Sequence, residues 1–166
     1  MRLVVLGREP LDQLQSAVES LFCDVRNADV PVPSFGTEPY GDEQLCTEVR
    51  AVPIKDQRII ELAFFMPAQW QQYKAKPASI LSHLVGHEGA GSLLSLLKSR
   101  GWVNELSAGL WNDNHDFASF SIYLEATAKG IEEAHQVVEC CFGYLNMLLK
   151  HSCLFGNTGG STPFFY

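Results

Sequence analysis

The residue pattern predicts an α+β fold, a largely antiparallel sheet with helices packed on one face. Three observations predict it. Apolar spacing alternates between period two and period three-to-four, in the order β-α-β-β-α-α-β-β-α. Several neighbouring strands are joined by links short enough for hairpins, such as Ile54-Lys55-Asp56-Gln57. The stretch from His83 to Gly109 packs the end of one helix, a glycine-rich turn, a second helix, a glycine stop and a strand into very little chain.

Taken in order, Arg2 to Leu6 is a short apolar strand closed by Gly7. Pro10 suits a first helical turn, and Leu11, Leu14, Val18 and Leu21 give residues 10–23 the apolar stripe of an amphipathic helix. Asp24 to Asp42 carries three prolines and two glycines and has little periodicity. A connection of that length is unusual inside a compact domain, so it is expected to lie along a neighbouring surface. Residues 44–53 alternate as a strand. In residues 57–66, Ile60, Leu62, Phe64 and Met66 form one face, and Ile59, Ala63 and Phe65 make the other nearly as apolar. A strand of that kind is expected to be central or covered twice.

Pro67 ends this strand and Pro77 opens the next helix, which leads to His83. Gly86, Gly89 and Gly91 break the helical pattern, because glycine takes left-handed backbone angles at little cost. Gly91 or Ser92 caps a helix whose apolar side is Leu93, Leu94, Leu96 and Leu97, and Gly101 stops it. Trp102 to Gly109 reads as a strand, Leu110 to Asp116 as a turn, and residues 117–126 as a cleanly alternating strand. Thr127 caps the last helix, along which Ile131, Ala134, Val138, Cys141, Leu145 and Leu148 step by three and four. Residues 1–150 thus form one α+β domain, and residues 151–166 an irregular, glycine-rich tail ending in aromatics.

Composition narrows the function. The chain has 166 residues, 46% of them hydrophobic and 19% charged, an ordinary globular balance. Its net charge of -7, with no run of Lys or Arg, argues against nucleic acid and anionic membranes, which need clustered positive charge. Cys23, Cys46, Cys140, Cys141 and Cys153 are odd in number and contain no CxxC, which fits reduced structural thiols in a cytoplasmic protein. No apolar run is long enough to span a membrane, and the start of the chain turns polar too soon for a signal peptide.

Chemistry-bearing motifs are scarce. His83 and His87 are four apart with Glu88 adjacent, but the string HLVGHE is neither HExxH nor HxxEH. The turn GHEGAGS lacks the lysine of a phosphate loop, and no GxSxG is present. Capping, turn hydrogen bonds or peptide contacts suit these residues better than metal ligation.

The blocks MRLVVLGREPLDQL, VPIKDQR and above all LVGHEGAGSLLSLLKSRGWVNELSAG resemble the insulysin/pitrilysin/nardilysin family of zinc metallopeptidases, the inverzincins. The resemblance runs from Met1 to about Lys150 and is to the second, non-catalytic domain, nearest the insulysin branch. It implies an inverzincin α+β domain that begins after its usual opening helix, so that part of the sheet is left uncovered, and dimers or other homo-oligomers, aggregation or dependence on a partner domain are expected. It implies that zinc and the catalytic base sit on a different domain. This chain then carries no catalytic residue, no metal ligand and no cofactor of its own. It implies substrate handling: peptides anchored on an exposed strand edge, an exosite, by β-augmentation. Carried over residue by residue, that site is His83, Gly86, His87, Glu88 and Gly89 on the turn, with Leu106, Ser107, Ala108 and Gly109 on the strand. The expected partners are peptide substrates and the other domains of a full-length metallopeptidase. Two functions follow: a fragment of a peptide-degrading zinc metalloendopeptidase that contributes its substrate-anchoring wall, or a stand-alone non-catalytic peptide-binding or regulatory module.

Overall fold

The computed structural model describes residues 3–36 and 39–151. The chain divides into two compact units, Met1–Pro33 and Ser34–Tyr166.

The first unit contains helix α1, Leu11–Phe22, with Pro10 at its N-cap. Proline suits that end because it gives up a donor the helix could not use there. The Pro10 carbonyl accepts from the amides of Gln13 and Leu14 at 3.0 and 3.1 Å. The stripe is amphipathic as expected, yet no α1 residue is buried; Leu11 is 82% exposed. The strand expected at residues 2–6 is absent over its described part, residues 3–6; Arg2 lies outside the described residues. Val4 and Leu6 stand almost fully exposed. A run of apolar residues supplies side chains for a strand but not the neighbour whose amides and carbonyls would complete a ladder.

The second unit holds the sheet. Its strands are β1 (Ile59–Pro67), β2 (Val103–Asp113) and β3 (Phe117–Ala126), all antiparallel, in the order β1-β3-β2. The helices are α2 (Pro77–Val85), α3 (Leu93–Ser99), α4 (Ala128–Glu132) and α5 (Ala134–His151), with one 3₁₀ turn at Trp70–Gln72. This is the α+β architecture the pattern predicts.

Three expectations are corrected here. The strand expected at residues 44–53 does not form. Leu45, Val49 and Val52 are exposed, and no hairpin joins this stretch to β1. β1 is not central; it lies at one edge, and β3 occupies the middle. Its two apolar faces misled because one of them is only partly covered, with Ile59 39% and Phe65 36% exposed. The last helix is not continuous. Glu133, at φ −102 and ψ 26, divides it into α4 and α5, and this turns Val137 rather than Val138 into the core while Ile131 stays on the surface.

The core lies on one side of the sheet. Cross-strand rows set Leu62 of β1 opposite Ile122 and Ala108, and Phe64 opposite Phe120 and Leu110. Above these rows pack Val85 of α2, Leu93, Leu94 and Leu97 of α3, and Val137, Cys141 and Leu145 of α5. Caps read from sequence are in place. Ser92 Oγ accepts from the Ser95 amide at 3.1 Å, and Thr127 Oγ1 accepts from the Gly130 amide at 3.0 Å. Gly101, at φ +72, stops α3 in the left-handed conformation. Among the three turn glycines only Gly91 needs that region, at φ +81. The glycine Gly86 ends α2 at φ −81 instead.

β2 runs further than expected, to Asp113, and residues 114–116 make a tight link to β3. Asn114 Oδ1 accepts from the amides of Asp116 and Phe117 at 2.9 and 3.0 Å, and the Asn114 amide donates to the Phe117 carbonyl at 3.0 Å, so side chain and backbone close the turn together. Part of the long connection does lie along this unit: Phe35 N–H donates to the Asp116 carboxylate at 2.7 Å, and Ser34 Oγ donates to it at 3.2 Å. The Phe35 amide, with smaller help from His115 and Ser34, holds the Asp116 carboxyl below the usual range. The tail expected from residue 151 onward lies outside the described residues, apart from His151 at the end of α5.

Cys141 is fully buried, and burial, with the adjacent Cys140 adding to it, pushes its thiol up to about 12. Alkylation follows the thiolate and its access. Iodoacetamide at pH 8 is therefore expected to label the exposed Cys23 and Cys46 and to spare Cys141 until denaturant is added, as read by peptide mass mapping. Rapid native labelling of Cys141 would show that α5 does not pack as described.

Candidate functional site

The start of the glycine turn and β2 lie side by side. The C-terminal end of α2 stands against the middle of β2. A Cβ built on Gly86 would lie 4.0 Å from the Ala108 amide nitrogen, and one on Gly109 would lie 3.6 Å from Ser82 Oγ. Gly86 has little room to spare, since the same Cβ would be 2.9 Å from the Ser82 carbonyl.

His83 projects from the last turn of α2, and His87, Glu88 and Gly89 follow in the turn; His83, His87 and Glu88 are all exposed. The two imidazoles are 6.1 Å apart between ring centres. Gly89 leaves room for His87, whose Nε2 would be only 2.6 Å from a Cβ at that position. Glu88 makes no hydrogen bond or ion pair among the described residues.

On β2, Leu106 turns its side chain into the core, so only its backbone faces outward chemistry. Ser107 is exposed, and Ala108 and Gly109 are half-buried. β2 pairs with β3 along one side, and among the described residues no strand pairs with the other. It is an edge strand with small side chains over residues 107–109, and bulges flank the stretch between Val103 and Glu105 and between Leu110 and Asn112.

These residues do not fit zinc. A protein zinc site needs three or four ligands around one point. Two imidazoles here have no third donor, and among the described residues no group of three His, Cys, Asp or Glu could hold a metal. No helix among them is long and apolar enough to cross a membrane.

A second feature escaped the sequence reading. The face of the sheet opposite the helices carries an open depression of about 550 Å³. Its floor is a transverse row of small residues, Ala63 opposite Ser121 opposite Gly109, with Ala63 and Ser121 lining it directly. Aromatic rings wall it: Tyr40 lies 4.6 Å from Phe65, and Phe65 lies 6.1 Å from Phe117 in an edge-on contact. Trp111 adds a ring that is 66% exposed, and Glu61 adds the one carboxylate of the lining. The only signal in sequence is a lone acid, Glu61, in an otherwise apolar strand, and spacing alone does not show which rings it sits beside.

Comparison with known proteins bears on the whole chain. The family model for the Peptidase M16 inactive domain matches residues 1–152. The insulin-degrading enzyme of Drosophila melanogaster is 41% identical over 150 residues, covering 90% of this chain and 15% of that protein. Human nardilysin is 36% identical over 156 residues, covering 90% of this chain and 14% of that protein. The crystal structure of pitrilysin superposes with a TM-score of 0.70 at 21% identity, covering 88% of this chain and 16% of that one, which shows a shared fold. The chain therefore spans about a seventh of the length of the curated relatives it matches. A match along nearly all of its described length, with the expected α+β fold, places it: the chain belongs to the M16 metallopeptidase family and corresponds to that family's non-catalytic, inactive domain.

Proposed function

We propose that this chain is the substrate-anchoring wall of an insulysin-like zinc metalloendopeptidase that degrades peptides in the cytoplasm. The zinc and the catalytic base belong to another domain of such an enzyme. Here an extended peptide adds to the free edge of β2, forming backbone hydrogen bonds along Leu106, Ser107, Ala108 and Gly109. Backbone pairing reads no side chain, so many sequences are accepted. The turn of Gly86 and Gly89 sets His83, His87 and Glu88 beside that edge, where the Glu88 carboxylate receives the peptide's amino terminus. The observation that carries this reading is the edge position of β2 beside the α2 end.

The test is peptide binding followed by fluorescence anisotropy. Ala108→Pro removes a backbone donor and fixes φ, and edge strands tolerate proline better than central ones. Affinity is expected to fall by roughly tenfold, the worth of about one well-made hydrogen bond and its ordering, while circular dichroism stays unchanged. Glu88→Gln is expected to erase any preference for a free over an acetylated amino terminus. A folded Ala108→Pro variant that binds as before would exclude this edge. If that variant fails to fold, an unchanged amino-terminus preference in Glu88→Gln would exclude the turn.

A further inference from the structure

We infer that the aromatic depression on the sheet face away from α2, α3 and α5 binds the basic side chain, lysine or arginine, of a polypeptide lying across the sheet. This site is separate from the β2 edge and rests on different residues. Its lining contains Glu61 and no lysine, arginine or histidine. Glu61 is exposed and makes no hydrogen bond or ion pair among the described residues, so its charge is free for a ligand.

The register explains why the rings and the acid share one hollow. Glu61, Ala63 and Phe65 alternate onto the same face of β1, and Ser121 and Ser119 lie opposite Ala63 and Phe65 on β3. The small row through Ala63 and Ser121 sinks the surface between the acid on one side and the rings on the other. Tyr40 closes the far side, its ring tilted against that of Phe65.

That combination selects a cation with an apolar stem. Alkyl carbons cover the exposed faces of Phe65 and Trp111, and the ammonium or guanidinium head is drawn both to ring faces and to the carboxylate. An anionic ligand meets only the like charge of Glu61. A wholly apolar ligand covers the rings but strips water from a carboxylate it cannot pair. The overall charge of -7 favours the same choice at longer range.

The experiment uses the 166-residue chain and two fluorescein-labelled peptides, Ser-Val-Lys-Val-Ser and its norleucine counterpart, which keeps the stem and drops the charge. The lysine peptide is expected to bind about fivefold more tightly, from one exposed ion pair and one cation–π contact. The ratio should shrink as salt is raised. Glu61→Gln, a surface change, is expected to bring the ratio close to one without altering the norleucine peptide's affinity. Trp111→Ala is expected to weaken both peptides. Equal affinities for the unaltered chain, a ratio that survives Glu61→Gln, or no binding of either peptide would overturn the assignment. Ala108→Pro separates this site from the edge: it leaves the ratio intact, whatever it does to the two affinities together.

Discussion

Phe120→Ala is expected to cost about 3–5 kcal/mol of stability, near the top of the range for a single core truncation. Phe120 is 1% exposed, at the middle of the central strand, with Phe64 and Leu110 opposite it on the flanking strands. No surface side chain can swing in to fill the void, because the helices α3 and α5 close that side. For a unit of this size the loss is roughly a 10 °C drop in melting temperature, measurable by thermal and urea unfolding. Phe65→Ala provides the contrast. It removes the same side chain from the opposite face, where Phe65 is already 36% exposed. Its cost is expected to be about 1 kcal/mol, the loss of partial burial and ring contacts. Equal losses from the two variants would show that the core is not one-sided.

The second large effect is expected at Gly130. In an ordinary helix, Gly→Ala gains about 1 kcal/mol. In α4 a Cβ would lie 1.9 Å from the Trp102 carbonyl oxygen and 2.8 Å from its carbon, both backbone atoms. That carbonyl cannot step aside freely, because it accepts from the Thr127 amide at 2.9 Å. Thr127 Oγ1 in turn donates to the Gly101 carbonyl at 2.8 Å. Gly130→Ala must push α4 off the start of β2 and disrupt this cap. Overpacking against the backbone outweighs helix propensity, and a net loss of about 2–3 kcal/mol is expected. Gly143→Ala in α5 is the control: nothing lies within 4 Å of its Cβ, so the propensity gain should appear alone. Stabilisation by Gly130→Ala would show that the α4 approach to Trp102 is looser than described.

How much of this could be read in advance depends on how local the cause is. The caps at Ser92 and Thr127, the stop at Gly101 and the opening Pro77 were legible, because each is a contact within one helical turn. The strand at residues 117–126 was legible from its alternation, and the one before it as a strand, although that strand runs on through residues expected to turn. The turn and the strand after it were legible as a motif, HLVGHEGAG followed by LSAG, although no periodicity rule reveals what that motif does.

What failed was non-local. Residues 44–53 and 2–6 have strand-like patterns, but a strand exists only where another chain segment meets its amides, and pattern does not reveal whether one does. The rank of strands across the sheet was also hidden. β1 looks more buried than β3 in composition, yet β3 is central, with the small Ser119 and Ser121 buried while Phe65 shows its ring to solvent.

By itself, then, the sequence determined the fold class, most of the helices and their caps, the family, and the motif of the turn and the strand after it, since these follow from short-range spacing and from motif. The tertiary structure alone decided that β3 is central and β1 an edge, that the core is one-sided, and that Glu61 shares a hollow with Tyr40 and Trp111. Those facts depend on the registers that align β1 and β2 on β3. A one-residue slip in either pairing would turn every side chain of that strand to the other face.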